Sequence, residues 1–406
     1  MSPALLRTTL GAALVAAAVT AVTVRLSAAV PPLRADVRTP ATLTVPGAPP
    51  DPVSLPAAGS LVLEAGADRL AGLAPDAVRP IGSVAKTMTA LAVLEAHPLG
   101  SGEPGPVLTM TAGDVALYRQ ALAADGSSLP VRAGERLSER ELLLGLMLPS
   151  ANNFAETLGR WVAGGHDAFV ARLNQRAARL GMASTHFDDP SGFSPRTVST
   201  AADLVRLGRA VLDLPALAEI VATAQAALGD GTALTNLDSL LGSVPGWLGI
   251  KTGETPQAGG CLLFAARRTV GDAPGPVTLV GAVLGQPHLA GALDAARSAV
   301  ESGYAGYRAV RLGDLDPRLQ GGVTAAWGDS SALLLAPGEG DPVALRPGST
   351  VGVVAVLQAL GDRVEAGGAV ARLEARSGAA VLARWRVTAA MALGPAPLLW
   401  RLVERR

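Results

Sequence analysis

Lysine is almost absent from this 406-residue chain: of its 34 lysine and arginine side chains, only Lys86 and Lys251 are lysine. Arginine serves wherever a fixed positive charge suffices, but its guanidinium stays protonated in proteins and cannot act as a base. Lysine kept at two places alone points to an amine that has to lose its proton. Both places are motifs, Ser83-Val84-Ala85-Lys86 and Lys251-Thr252-Gly253. Cysteine is scarcer still, and the lone Cys261 excludes an internal disulfide framework. The four histidines (His97, His166, His186 and His288) are scattered without metal-ligand spacing, so neither a metal nor another cofactor is expected. Net charge is zero and aromatic residues are 3% of the chain. A basic stripe and stacking platforms are both missing, which excludes nucleic acid as a partner.

What is present starts at the N-terminus. Arg7 precedes an uncharged apolar run from Thr8 to Val24, followed by Arg25 and the small residues Ser27-Ala28-Ala29. That is the layout of an export signal, either cut after Ala29 or kept as a signal anchor over residues 1–29. Residues 30–56 are dense in Pro, Ala, Thr and Val and read as an extended tether without helix or strand periodicity. At the other end, residues 394–406 contain Gly394-Pro395-Ala396-Pro397 and then Leu398-Leu399-Trp400-Arg401. This tail reads either as a short membrane-interfacial helix or as a frayed end, so the cytoplasmic membrane is a candidate partner through either terminus.

Between these ends, Ser60 to Glu64 reads as a strand, and a helix runs from Ser83 to about Ala96. Helical signals continue to about Leu212. Ser138 and Glu141 form a capping box before Leu142 to Leu148, and Pro149 leaves Ser150-Ala151-Asn152 in a turn. The period then changes, with strands expected at Trp247 to Thr252, Gly260 to Arg267 and Val277 to Leu284, and a helix from Leu289 to Tyr307. The outline is an α/β unit over residues 57–310, whose sheet is interrupted in sequence by a helical insert. Residues 311–393 read as a separate small β-rich domain.

Ser83 and Lys86, three apart at a helix start, share a face. A serine hydroxyl is a weak nucleophile until a base takes its proton, and an amine is that base only with a lowered pKa. Lys251 is the candidate neighbouring cation. Each motif alone also has an ordinary structural explanation: a helix cap, a capped turn and an edge lysine. Together and in this order they form a known set for penicillin-interacting serine enzymes.

The resemblance extends beyond the motifs. Ile81 to Ala90, Leu142 to Asn152, Phe169 to Leu204 and Gly249 to Ala266 resemble the D-alanyl-D-alanine carboxypeptidases, the low-molecular-mass penicillin-binding proteins. The resemblance implies a β-lactamase/transpeptidase-like antiparallel sheet with a helical insert, followed by a small C-terminal β domain. It implies an exported, extracytoplasmic enzyme of the cell wall, acting on peptidoglycan stem peptides and inhibited by β-lactam antibiotics. It also implies Ser83 as nucleophile, Lys86 as its base and Ser150 as a proton relay. Asn152 would bind substrate and hold Lys86, Lys251 would supply a field, and Thr252 and Gly253 would lie near the substrate carboxylate. The backbone N–H groups of Ser83 and Glu254 would form the oxyanion hole. Asn153 stands where the family often has Asp, and Gly285-Gln286-Pro287-His288 stands where some members carry an arginine. Three rivals remain on the same fold: a D,D-endopeptidase, a class A-like β-lactamase and a non-catalytic wall-binding scaffold. Val170, where a β-lactamase of that class needs Glu before Leu173-Asn174, argues against the second.

Overall fold

A computed structural model describes the backbone of residues 3–403 and the side chains of residues 9–403. The side chain of Arg7, and Glu404, Arg405 and Arg406 of the expected tail, lie outside the described residues. The chain divides into two compact units, residues 50–270 with 275–307, and residues 1–49 with 271–274 and 308–406.

The first unit is built on a five-stranded antiparallel sheet in the order Trp247–Thr255, Gly259–Arg268, Val277–Gln286, Ser60–Ala65, Asp68–Leu73. Side chains alternate across it, as the two-residue period of a strand requires. Leu61, Leu63, Leu262, Phe264, Leu279 and Val283 face one core, which the helix Leu289–Ala305 closes with Ala292, Ala296 and Val300. Val62, Cys261, Leu263, Ala265, Val280 and Ala282 face the other core, under the helical insert. Covered on both sides, the three inner strands Gly259–Arg268, Val277–Gln286 and Ser60–Ala65 read as mostly apolar runs. Each Leu or Phe fully buried this way contributes roughly 1.5–3 kcal/mol.

The insert holds seven helices between Leu73 and Trp247. Lys86–Ala96 runs through its middle and is buried from Lys86 to Leu94, which is why it lacks a polar face. Ser138 starts Glu139–Met147 through the expected capping box: its Oγ accepts the Glu141 N–H, and Glu141 Oε2 accepts the Ser138 N–H at 2.8 Å. The sheet edge beside this insert is the strand Trp247–Thr255.

The second unit is a seven-stranded sheet in the order Arg34–Arg38, Gln320–Thr324, Ser330–Leu335, Ala380–Ala389, Ala369–Ser377, Thr350–Leu357, Thr42–Thr44. Both of its edge strands come from the stretch expected to be a structureless tether. Ala35 pairs with Val323 and Leu43 with Val351, and Leu43 is buried. Proline density at 30–56 masked two short alternations. Proline is compatible with such strands because it flanks them, and they lie at edges. The sheet folds over Leu312, Leu373, Ala375, Trp385 and Val387.

The N-terminal helix Pro3–Ser27 belongs to this second unit, and its stretch Thr9–Ser27 is long and apolar enough to cross a membrane. The tail forms the helix Leu398–Val403 beside its end, with Arg25 donating to the Leu402 carbonyl and Arg401 to the Leu26 carbonyl.

Candidate active site

Ser83 sits in a single 3-10 turn, Gly82–Ala85, that runs straight into Lys86–Ala96. The three-residue spacing brings Lys86 Nζ within 2.8 Å of Ser83 Oγ. Lys86 is fully buried, and burial pushes its pKa well below the lysine range, with the Lys251 charge adding to the effect and Asp189 opposing it. A neutral amine at this distance can accept the serine proton.

A second contact of Lys86 comes from a loop to which the sequence reading gave no role. Its Nζ donates to the Ser191 carbonyl at 2.9 Å. The loop is tied by Asp189, whose Oδ2 accepts from Ser191 Oγ (2.5 Å) and the Phe193 N–H (2.9 Å), while Oδ1 accepts from Thr197 Oγ1 (2.6 Å). Gly192 lets it close: its φ is +77°, and a Cβ there would stand 1.8 Å from the Gly82 carbonyl oxygen. The Asp-Pro-Ser-Gly composition marks a turn, but nothing local says what the turn will touch.

Asn152 was expected to hold Lys86 and makes no hydrogen bond to it. Its N–H donates to the Ser127 carbonyl at 2.7 Å, fixing the start of the helix Asn152–Ala163, and its side chain lines a neighbouring cavity. Asn153 turns inward and ties down the segment before it, exchanging two hydrogen bonds with the Leu129 backbone at 2.9 and 3.1 Å.

Ser150 adopts φ +70°, a left-handed backbone that costs a non-glycine residue about 1–2 kcal/mol. Pro149 stops the preceding helix, and the Ala151 N–H bond to the Gly145 carbonyl holds the turn. The Ser150 Oγ is buried without a hydrogen-bond partner, which leaves its donor and acceptor capacity for a visitor. With Ser83, Ser127, Thr252, Gly253 and Glu254 it lines a cavity of about 180 Å³.

The edge strand closes that cavity from the other side. Gly253 is required by space: a Cβ there would lie 2.7 Å from the Ile81 carbonyl oxygen and 3.0 Å from the Ser83 nitrogen. Lys251 is buried, with Nζ 3.5 Å from Thr252 Oγ1. Burial lowers its pKa to about 7, against the pull of Asp238. Asp238 is itself fixed by the Trp247 indole N–H at 2.8 Å. Glu254 is exposed, and its Oε1 accepts the Leu289 N–H at 2.9 Å. No arginine lines this cavity. Gln286 donates instead to the Ala58 carbonyl, and His288 Nδ1 caps the helix Leu289–Ala305 by accepting the Gly291 N–H. Among the described residues no group of three or more His, Cys, Asp or Glu could hold a metal ion.

This arrangement can activate a serine, accept a developing negative charge and pass a proton through a buried hydroxyl. Residues 50–281 match the family described as D-alanyl-D-alanine carboxypeptidase. The chain is 32% identical over 225 residues to a D-alanyl-D-alanine endopeptidase of Pseudomonas aeruginosa, covering 54% of this chain and 68% of that protein. It is 36% identical over 205 residues to the D-alanyl-D-alanine carboxypeptidase DacB2 of Mycobacterium tuberculosis, covering 49% and 66%. A solved Streptomyces DD-transpeptidase matches with a TM-score of 0.54 at 27% identity, over 62% of this chain and 100% of that one.

Proposed function

This chain belongs to the D-alanyl-D-alanine carboxypeptidase family, a family of serine-type hydrolases with the penicillin-binding fold, and on that footing we propose that it removes the terminal D-alanine from peptidoglycan stem peptides through an acyl-enzyme. The observation that carries this reading is the 2.8 Å approach of Ser83 Oγ to a fully buried lysine amine.

In this reaction Ser83 Oγ attacks the carbonyl of the penultimate D-alanine while Lys86 takes its proton. The tetrahedral oxyanion is met by the backbone N–H groups of Ser83 and Glu254 at the start of the helix and the strand edge. The C–N bond then breaks, and the proton passes from Lys86 through Ser150 to the departing amine of D-alanine. Water hydrolyses the ester, returning Ser83 and the shortened peptide. Asn152 and the Trp247–Thr255 edge would hold the acyl donor as an added strand, with Lys251 and Thr252 near its carboxylate. A β-lactam enters the same step but keeps its leaving group tethered, so the adduct persists. The span Thr9–Ser27 supports export, with the unit of residues 50–270 and 275–307 acting outside the cytoplasmic membrane.

A fluorescent penicillin should label Ser83, and a diacetyl-lysyl-D-Ala-D-Ala peptide should release D-alanine. One observation favours a second reading: a leaving-group cavity without arginine suits a cross-link as well as a free terminal carboxylate. Cleavage of a cross-linked dimer peptide without D-alanine release would make the enzyme an endopeptidase.

A further inference from the structure

The outer face of the seven-stranded sheet carries a cluster of charge for which the proposed reaction has no use. Arg372, Glu374 and Arg376 alternate along Ala369–Ser377, and Arg384 and Arg386 alternate along its neighbour Ala380–Ala389. Leu373, Ala375, Trp385 and Val387, between them in sequence, point into the core. No run of basic residues marks this face in the sequence, because a strand sends alternate side chains to opposite sides.

One carboxylate sits among four guanidinium groups. Glu374 is buried; its Oε1 accepts from Arg372 Nε at 2.7 Å, its Oε2 accepts from Arg376 Nε at 2.8 Å, and Arg384 Nε lies 3.7 Å from Oε1. The side chains of those three arginines remain 40% exposed or more. Arg386 is exposed too, and its guanidinium has no hydrogen-bond or ion-pair partner among the described residues. It stands directly across from Arg372 in the strand register, a like-charge pair that costs a sheet stability. Glu339 bridges to Arg384 through its backbone, but its exposed carboxylate forms no ion pair there.

The centre of this face is charged, and its exposed apolar side chains, Val354 and Leu334, lie on the strands to either side. A protein interface has the reverse arrangement, with charge depleted from its core. Trp385 points inward, so the face offers bases nothing to stack on. Lipid around the anchor is also a poor match. Trp327, in the turn 325–329, meets Trp400 of the tail helix, and the Ala390 N–H bonds to the Ala332 carbonyl just past that turn. Arg386 lies level with Ala336, roughly 20 Å further along the strands than the turn. What remains is a flexible anionic chain. Arginine forks pair with phosphate oxygens two at a time. Here they repeat at about 5 Å across the strands and about 7 Å along them. Phosphates separated by a few atoms of backbone can follow that spacing.

We infer that this sheet face is a docking surface for a polyol-phosphate polymer, with Arg372, Arg376, Arg384 and Arg386 each facing a phosphodiester of its backbone. The inference stands apart from the reaction at Ser83.

The test is binding of full-length protein, in neutral detergent, to a synthetic poly(glycerol phosphate) chain. Arg384→Gln with Arg386→Gln leaves both hydrogen bonds to Glu374 in place. It should weaken binding by about tenfold or more, the scale of hydrogen bonds to charged groups, and lower the slope of log Kd against log salt by about 1.5. Arg38→Gln with Arg363→Gln removes two charges elsewhere in the same unit and should change little. Fluorescent penicillin should label Ser83 equally in all three proteins, which shows that the fold is intact. Absence of wild-type binding at low salt, or equal loss in both double variants, overturns the surface. Tighter binding of poly-L-glutamate than of poly(glycerol phosphate) overturns the phosphate assignment. If only flotation with phosphatidylglycerol vesicles responds to Arg384→Gln with Arg386→Gln, the face meets lipid and the polymer is overturned.

Discussion

Lys86 reaches the Ser191 carbonyl at 2.9 Å while it touches Ser83 at 2.8 Å, so its amine is aimed by a loop more than a hundred residues downstream. The loop keeps its shape through Asp189, and the same carboxylate raises the Lys86 pKa against burial. Asp189→Asn preserves an acceptor for Ser191 and Phe193 while removing the charge. The Lys86 pKa should then fall further, and the rising limb of penicillin acylation against pH should move to lower pH. Acylation rates measured from pH 5 to 9 check this, and an unmoved limb would separate Asp189 from Lys86.

The two lysines should tolerate arginine unequally. Lys86→Arg removes the proton acceptor beside Ser83, so acylation should drop by about a hundredfold or more, the usual scale of a general base. Lys251→Arg keeps a positive charge on the strand edge and should lose less. Ser83→Ala should abolish covalent labelling. Stopped-flow acylation with a chromogenic β-lactam compares all three, and equal rates for the two arginine variants would contradict the roles assigned here.

Lys251 should limit the other side of the pH profile. Its pKa of about 7 means that its charge is lost as pH rises through neutrality, and Asp238 is the group holding that value up. Acylation should therefore decline above about pH 7. In Asp238→Asn the decline should start lower, because the Lys251 pKa falls when its countercharge is gone. The falling limb of the same pH profile reports it.

The sheet was readable because its strands are buried on both faces. Trp247 to Ile250, Cys261 to Ala266 and Leu279 to Leu284 are apolar runs inside the expected strands, and the strands found extend those expected by no more than three residues at either end. The edge strands Arg34–Arg38 and Thr42–Thr44 were not readable, because five and three residues among prolines hold too few alternations to outweigh composition. At the site, spacing along one helix announced Ser83 and Lys86. The Ser191 carbonyl is a backbone atom that any residue supplies, so residue type carried no sign of it. The left-handed backbone of Ser150 was hidden for a related reason, since the turn rather than the serine demands it.

Glu139 offers a test of the scaffold apart from the chemistry. It is fully buried, both carboxylate oxygens lack a hydrogen-bond partner, and burial raises its pKa to about 7. A carboxyl group whose pKa is raised on folding takes up protons more readily in the native state. Its contribution to stability is intact below the unfolded value near 4.5 and is lost as pH rises to about 7. Glu139→Gln removes that titration, so its gain in Tm over wild type should be larger at pH 8 than at pH 5. Thermal melts at the two pH values decide it, and equal differences would mean that Glu139 is not ionising within this window.

The termini should act on a membrane together. Thr9–Ser27 spans about 28 Å as a helix, close to the roughly 30 Å hydrocarbon core. The short helix Leu398–Val403 lies at its end with Leu398, Leu399 and Val403 exposed, and Trp400 meets Trp327 edge-on at 5.9 Å between ring centroids. Apolar side chains at this level beside a Trp and an Arg suit the interfacial layer. The full chain should float with anionic vesicles in a density gradient. A chain beginning at Val30 keeps only the short helix, whose few exposed side chains bury too little area for stable anchoring, and should remain largely unbound. Leu398→Ser with Leu399→Ser in that shortened chain should remove the residual binding. Equal flotation of the full and shortened chains would shift the anchor to the C-terminal helix, and no flotation of either would remove the membrane from this protein's partners.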